Sequence, residues 1–297
     1  LCVLALHIVL QTTVRGVFLF AAGIVLFNPD PDFVRLNVKA LLEDVSIVFL
    51  VDNSSTDNSA CFSSFGNQVV YIPNYSNKGI ARALNQIMEA SQKAGADWVL
   101  TLDQDTEIPN QMASRLFNAR PKNDENLGII CPSFLEVNSG SHYCKAGFVD
   151  ECITSGSLTS VEAWSRTHGF DEWMFIDLVD YEFCDQLKSN GFLIYRTAQV
   201  EMRHSIGKTT VVRILGHEFR NMNHSAFRKF YQARNRPYLL VKRNEFSYTE
   251  TLLHSFAMIL KVLLFEGQKK SKCHAIVAGT SEGLAKVKEL HNDACVQ

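Results

Sequence analysis

Four short apolar runs, each stopped by a cluster of Asn, Asp, Ser or Gly, set the strongest limit on how this chain can fold. They are Val17 to Phe27, Val45 to Val51, Val69 to Ile72 and Trp98 to Leu102. Their continuous apolar character reads as strands buried on both faces. Asp30-Pro31 opens a helix after the first run, a capping acid followed by Pro in the first turn, with Phe33, Leu36, Ala40 and Leu41 as its expected inner face. A second helix is marked by Ile80, Ala83, Leu84, Ile87 and Met88 at helical spacing and closes at Gly95. Strands alternating with helices imply an α/β fold of three layers around a mostly parallel, Rossmann-like sheet with helices on both faces.

The rhythm changes past Asp105. Gly128 to Phe134 and Gly147 to Ser155 read as strands joined by a turn near Asn138-Ser139-Gly140. Ser160 to His168 predicts a short helix, Val179 to Asn190 a longer one, Phe192 to Arg203 two short strands around Thr197, and helices dominate from about Thr209. The C-terminal half is thus mixed and ends in helices. At 297 residues the chain can bury a self-sufficient core. We divide it into an unassigned extension over 1–16, a main domain over 17–243 and a helical extension over 244–297.

Parallel α/β sheets bind ligands outside the carboxyl ends of their strands, where loop amides and helix N-termini converge. Here Asn28 follows the first run, Asp52-Asn53-Ser54-Ser55-Thr56-Asp57 the second, Asn74 to Gly79 the third and Asp103-Gln104-Asp105 the fourth. One such loop is only turn chemistry. Four in succession deliver polar groups to one rim. Asp103 and Asp105, one residue apart at a strand end, point the same way and can share a hard cation, Mg²⁺ or Mn²⁺, bridging a diphosphate. In isolation the pair would read as a solvated turn, with Pro109 just beyond.

A second acidic cluster runs from Phe175 to Glu182 and opens a helix, where acids suit the dipole. If that helix starts near Val179, Asp180 and Glu182 lie roughly 200° apart around its axis and cannot both face one site. Asp180, beside Ile176, Leu178 and Val179, is the better candidate for a general base of raised pKa, which leaves Glu182 a structural part.

Charge is unevenly spread. The net value is -2, yet Arg203, Lys208, Arg213, Arg220, Arg228, Lys229, Arg234, Arg236, Lys242 and Arg243 share a stretch whose only acid is Glu218. Such a stretch seeks anions, and without a recognition motif for nucleic acid we read diphosphate or an acidic membrane surface. Eight scattered cysteines include no Cys-x-x-Cys pair, which fits a reduced cytosolic protein. The apolar opening Leu1 to Leu10 is interrupted by Gln11, Thr12, Thr13 and Arg15, well short of the roughly 20 residues of a membrane span, and has no basic start or cleavage site.

Taken together, Val51-Asp52-Asn53-Ser54-Ser55-Thr56-Asp57, Asn77-Lys78-Gly79-Ile80-Ala81-Arg82-Ala83-Leu84-Asn85, Leu102-Asp103-Gln104-Asp105, Ser155-Gly156-Ser157 and Phe175 to Leu187 resemble the inverting family 2 glycosyltransferases of GT-A fold. The Asp-Gln-Asp form, the Phe-Ile-Asp-x-Val-Asp-x-Glu run and His204-Ser205-Ile206-Gly207 look most like bacterial rhamnosyltransferases of surface polysaccharide synthesis. The likeness covers Gly23 to Arg243. It implies that Asp52 binds the pyrimidine of a nucleoside-diphosphate sugar, with Asn28, Asn53, Ser55, Asn77, Gly79 and Arg82 on the nucleotide side. It implies further that Asp103 and Asp105 hold the metal, with His204 as a third ligand or a structural histidine, and that Asp180 is the base. Asp177 belongs to the rhamnosyltransferase-like subset and implies either an acceptor contact or a helix cap. Arg234-Asn235 matches an Arg-Asn pair of these enzymes, against the alternative of a solvated helix face.

The chain departs from the pattern at Gln186, where the family often has Arg, which removes a salt bridge near the base. The function implied is inverting transfer of L-rhamnose from dTDP-L-rhamnose to a glycan or lipid-linked acceptor at the cytoplasmic face of the membrane. UDP-galactofuranose or a UDP-N-acetylhexosamine is the alternative donor. A nucleotidyltransferase would show a Gly-rich basic loop after the first strand, unlike Phe27-Asn28-Pro29-Asp30. The other alternative is a non-catalytic nucleotide-sugar-binding relative: Asp103, Asp105 and Asp180 together argue against it, and Gln186 keeps it open.

Overall fold

The computed structural model describes residues 18–122, 126–136, 141–143, 146–204, 210–214, 217–221 and 223–296. The expected extension 1–16, Val17, the turn at 138–140 and residues 205–208 lie outside them.

The first half follows the expected alternation. Strands β1 (Phe20–Leu26), β2 (Ile47–Asp52), β3 (Val69–Pro73) and β4 (Trp98–Asp103) form the parallel part of the sheet, with α1 (Pro31–Leu42) after β1 and α2 (Ile80–Lys93) after β3. The order β3-β2-β1-β4 reverses direction between β1 and β4, so the topological switch point falls there. Alternate residues of β1 and β2 serve opposite layers. Ala21, Val25, Phe49 and Val51 pack with α2, whereas Ala22, Ile24, Leu26, Val48 and Leu50 pack with α1 and with α3 (Met112–Asn118). At Gly23 a Cβ would sit 2.2 Å from Ile87, so the missing side chain lets α2 lie close against the central strand.

The inner face of α1 differs from the expectation. It is Val34, Asn37, Val38 and Leu41, while Leu36 is exposed. Asn37 turns inward because its Nδ2 reaches the Thr106 carbonyl at 2.9 Å, and this buried amide disguises the apolar row in the sequence.

Four corrections apply to the second half. Gly147 to Ser155 is not one strand: β5 (Leu127–Glu136) pairs with β6 (Ser141–Tyr143), and β7 (Gly147–Phe148) is a two-residue edge piece on β9 (Leu193–His204). The strand that joins the two halves is β8 (Ser157–Ser160), antiparallel to both β4 and β5. Its hydroxyl residues hide the strand in the sequence, yet they tolerate burial because they find partners, as Ser157 Oγ does at the Ile153 carbonyl (2.6 Å). Ser160 therefore caps the helix α4 (Val161–Ser165) instead of opening it.

The residues around Thr197 form one strand with a register jump: Pro132 faces Thr197 and Ser133 faces Glu201. The helical region begins at Ala226, because Thr210–Ile214, rich in β-branched residues, pairs with His217–Asn221 as the antiparallel strands β10 and β11. Helices α5 (Val179–Ser189), α6 (Ala226–Lys242), α7 (Tyr248–Phe265) and α8 (Lys269–Val296) complete the chain.

Candidate active site

Strand register sets out one side of the rim. Leu26 of β1 pairs with Asp52 on one side, and Val25 pairs with Asp103 on the other. Two strand spacings separate these acids, about 10 Å. Asp52 is buried: its Oδ1 accepts the Ser54 amide (2.8 Å), and its Oδ2 accepts Asn58 Nδ2 and the Tyr71 hydroxyl (2.7 Å each). Asn53 ties this loop to the next. Its Nδ2 donates to the Gly79 carbonyl (3.1 Å), while its Oδ1 accepts Asn74 Nδ2 (2.8 Å) and the Lys78 amide (3.3 Å).

Asn77 Oδ1 accepts the Gly79 amide at 3.0 Å. Gly79 has φ +87° and ψ 163°, a region essentially reserved for glycine, and a Cβ there would lie 2.7 Å from the Phe175 carbonyl oxygen. That carbonyl accepts the Ile80 amide at 2.7 Å, so the acidic loop is seated on the N-terminus of α2.

Asn28 stands exposed at the end of β1 with φ +46°, its amide donating to Ser54 Oγ (2.7 Å). The middle residue of Asp-Gln-Asp has a role that the sequence did not disclose. Gln104 Oε1 accepts the Phe27 amide (2.7 Å) and its Nε2 donates to the Phe27 carbonyl (3.1 Å), pinning β1 and β4 together across the switch point. Ser155 Oγ holds the Asp103 amide at 3.1 Å and meets Thr106 Oγ1 at 3.0 Å, which fixes the turn from beneath.

The facing wall is built differently. Phe175, Asp177 and Leu178 all have positive φ (62°, 66° and 65°), and each costs about 1 kcal/mol or more. Asn235 of α6, fully buried, holds this backbone: its Nδ2 donates to the carbonyls of Met174 (2.8 Å), Ile176 (2.7 Å) and Asp177 (2.8 Å). Arg234 braces the clamp. It donates to Asn235 Oδ1 (3.0 Å), to the Trp173 carbonyl and to Glu282 (3.1 Å), and lies over the Trp173 and Tyr231 rings. Arg234-Asn235 is therefore a buried clasp, and the solvated helix face is excluded.

Within this loop, Asp177 pairs with Arg228, whose Nε lies 3.0 and 3.2 Å from its two oxygens. No side chain caps α5, which enters through Leu178. Asp180, in the first turn of α5, accepts the Tyr181 amide (3.1 Å). Burial first, then the negative charges of Asp177 and Asp103, push its carboxyl up to about 6 against the pull of nearby amides. The charge of Asp103, on the opposite wall, thus reaches it.

Glu182 turns the opposite way into the core, paired with Lys242 (2.6 Å) and Gln186 (2.8 Å). Lys242 also meets Asp171 (2.5 Å). The salt bridge that Gln186 does not make is thus supplied from α6, while Gln186 itself also bridges Gly169 and His168. A cavity of about 630 Å³, lined by Asn85, His168, Asp171, Glu182, Gln186 and Lys242 among others, opens beside this network and contains none of the rim residues.

Other expected residues sit at the margin. Arg82 is bound to Glu172 (2.9 Å), and Ser55 is exposed in the β2 loop. His204 ends β9, and its side chain lies outside the described residues. Among the described residues no three His, Cys, Asp or Glu side chains form a ready-made metal cluster. A carboxylate pair is nevertheless the donor set expected for a hard cation that takes its other ligands from phosphates and water. Asp103 and Asp105 fit that description: Asp105 is exposed, and the charge of Asp103 raises Asp180.

Five of the described basic residues of 203–243 meet acids: Arg228 meets Asp177, Lys229 meets Glu266, Arg234 meets Glu282, Lys242 meets Asp171 and Glu182, and Arg243 meets Asp185 and Glu151. Those acids lie outside the stretch, so the charge of these five residues is matched from elsewhere in the fold.

Residues 23–147 match the family described as Glycosyl transferase family 2. The chain carries a glycosyltransferase family 2 domain. The matched segment holds the whole donor rim, from β1 through Asp103 and Asp105, and stops short of Asp180 and the clasp. The glycosyltransferase is similar to the dTDP-rhamnosyl transferase RfbF of Shigella flexneri, at 28% identity over 242 residues, covering 75% of this chain and 80% of that one. Its fold is shared by S. aureus TarS 1-349 (TM-score 0.50, 13% identity, 88% of this chain and 71% of that one). It is also shared by mannosyl-3-phosphoglycerate synthase from Rubrobacter xylanophilus (TM-score 0.51, 13% identity, 78% and 77%). The architecture is GT-A: a large, mostly parallel sheet with helices around it and a helical C-terminus.

Proposed function

We propose that the protein transfers L-rhamnose from dTDP-L-rhamnose, with inversion, to a hydroxyl of a glycan or lipid-linked saccharide at the cytoplasmic face of the membrane. The donor follows from the likeness to RfbF over most of both chains. The chemistry rests on Asp180 in the first turn of α5, its carboxyl raised to about 6 by burial and by the charges of Asp177 and Asp103. A carboxylate of that pKa is largely ionised at neutral pH and still basic enough to accept a proton from an alcohol as its oxygen attacks.

In this reading the nucleotide lies along the rim, base toward Asp52 and diphosphate toward Asp103. The carboxylate of Asp52 has about four acceptor sites, of which three are used. The remaining one suits the single N–H on the edge of a thymine or uracil ring. Asn53, Asn77 and Gly79 shape the adjoining wall. Asp103 and Asp105 would hold Mg²⁺ or Mn²⁺, which when bound neutralises charge on the leaving diphosphate. Asp180 takes the acceptor's proton while the new bond to the anomeric carbon forms on the face opposite the departing nucleoside diphosphate. Asp177, fixed by Arg228, stands where it can orient the acceptor.

Two variants test these roles separately. Asp180→Asn lowers transfer by about 10³-fold while metal-dependent donor binding, measured by calorimetry, is kept. Asp103→Ala weakens donor binding itself. Transfer near the wild-type rate in the first variant, or unchanged affinity in Mn²⁺ for the second, overturns the assignment. A panel of dTDP-rhamnose, UDP-galactofuranose and UDP-N-acetylglucosamine decides the donor.

A further inference from the structure

A long apolar surface lies on α7, away from the rim. Helix α7 exposes Leu252, Leu253, Phe256, Leu260, Leu263 and Leu264, each between 44 and 66% accessible. At 100° per residue they fall within one arc of about 120°, so they form a continuous stripe along a helix about 27 Å long. Soluble proteins rarely leave a contiguous patch of this kind uncovered.

The opposite face is fastened down. Ser255 meets Thr280 of α8 (2.8 Å), Val262 packs with Ile276 and Ala233, and Glu266 is buried between Lys229 (2.9 Å) and Lys272 (2.8 Å). By length and composition α7 could span a bilayer, but spanning would strip Ser255 and Glu266 of these partners. The arrangement is that of a helix lying in an interface.

Charge selects the partner. Between residues 251 and 281 the only acid is Glu266, which is buried, whereas Lys269 and Lys270 at the turn into α8 are exposed. The surface beyond the stripe's C-terminal end is therefore cationic.

We propose that the stripe of α7, with Lys269 and Lys270, docks the protein on an anionic phospholipid bilayer. The placement also serves the transfer reading. Arg228 holds Asp177 on the acceptor-side loop, and the next residue, Lys229, holds Glu266 just past α7. The lysine-bearing turn thus lies at the end of α6 that touches this loop. The docking itself rests on the α7 surface and not on the identity of the sugar; only its purpose depends on the proposed reaction.

The test is flotation of the full chain with vesicles of phosphatidylcholine alone or with phosphatidylglycerol. The wild type is expected to float with the anionic vesicles and to bind neutral ones at least ~10-fold more weakly. Leu253→Ser/Leu260→Ser/Leu264→Ser, at exposed positions that leave the fold intact, should lose ~10-fold or more on both. Lys269→Glu/Lys270→Glu should lose the preference for phosphatidylglycerol. Calorimetric donor binding stays unchanged in both variants, so a failure of the transfer reading is visible separately. Absence of wild-type flotation, or equal flotation by the triple variant, overturns the proposal. So does a wild-type dimer in sedimentation that the triple Ser variant converts to monomer, because a second copy would then cover the stripe.

Discussion

The two walls of the site are held in opposite ways. On the donor side, the ends of β1, β2 and β4 carry their own polar residues, and the bonds that shape them run mostly within and between adjacent strand-end loops, such as Asp52 to Ser54 and Asn77 to Gly79. On the base side, a loop with three non-glycine residues at positive φ is kept in place by a side chain from α6, 58 to 61 residues later. The donor wall is a property of strand ends. The base wall is a local conformation made tenable by remote bonds, and it should fail when they are removed.

The largest effect is expected at the clasp. Asn235→Leu fills the space but leaves three buried carbonyls and Arg234 Nε without their partner, costing about 3–5 kcal/mol. Denaturant unfolding measures this, and donor affinity should fall far less than turnover in the fraction that stays folded. A loss below 1 kcal/mol would mean that the loop holds its shape by itself.

Next comes the contact between the walls. Gly79→Ala must accommodate a Cβ against the Phe175 carbonyl and a backbone region that L residues avoid, so a loss of about 2–3 kcal/mol is expected, together with weaker donor binding. An unchanged unfolding midpoint would show that the two walls are not seated on each other as described.

These two positions show what could be read in advance. The parallel half was legible because buried strands and amphipathic helices repeat on short periods, and because polar strand ends recur. Gly79 and Asn235 were visible as residues of family-like motifs, but their action was not, since it lies in contacts between segments far apart in the chain. Gln104 looked like a spacer between two acids until its amide met both polar groups of Phe27. Strand β8 was hidden because Ser157 and Thr159 carry hydroxyls into the core. In the basic stretch the charge is local in sequence, whereas the acidic partners of Arg228, Lys229, Arg234, Lys242 and Arg243 lie in other segments.

A smaller effect separates the two acids of α5. Asp180 binds its proton more tightly in the folded protein than in the unfolded chain, so its ionisation removes stability as pH rises through the window from about 4 to about 6. Asp180→Asn lacks this penalty. It should be more stable than the wild type by about 3 kcal/mol above pH 6, with the difference vanishing near pH 4. A variant of equal stability at pH 7.5 would indicate an ordinary solvated carboxylate.

The pH dependence of kcat/KM tests most directly whether Asp180 acts as the base, because it reports the essential ionisation of the free enzyme. The predicted profile rises tenfold per pH unit below about 6 and levels off above it, following the raised carboxyl. A profile flat from pH 5 to pH 8 would contradict the assignment.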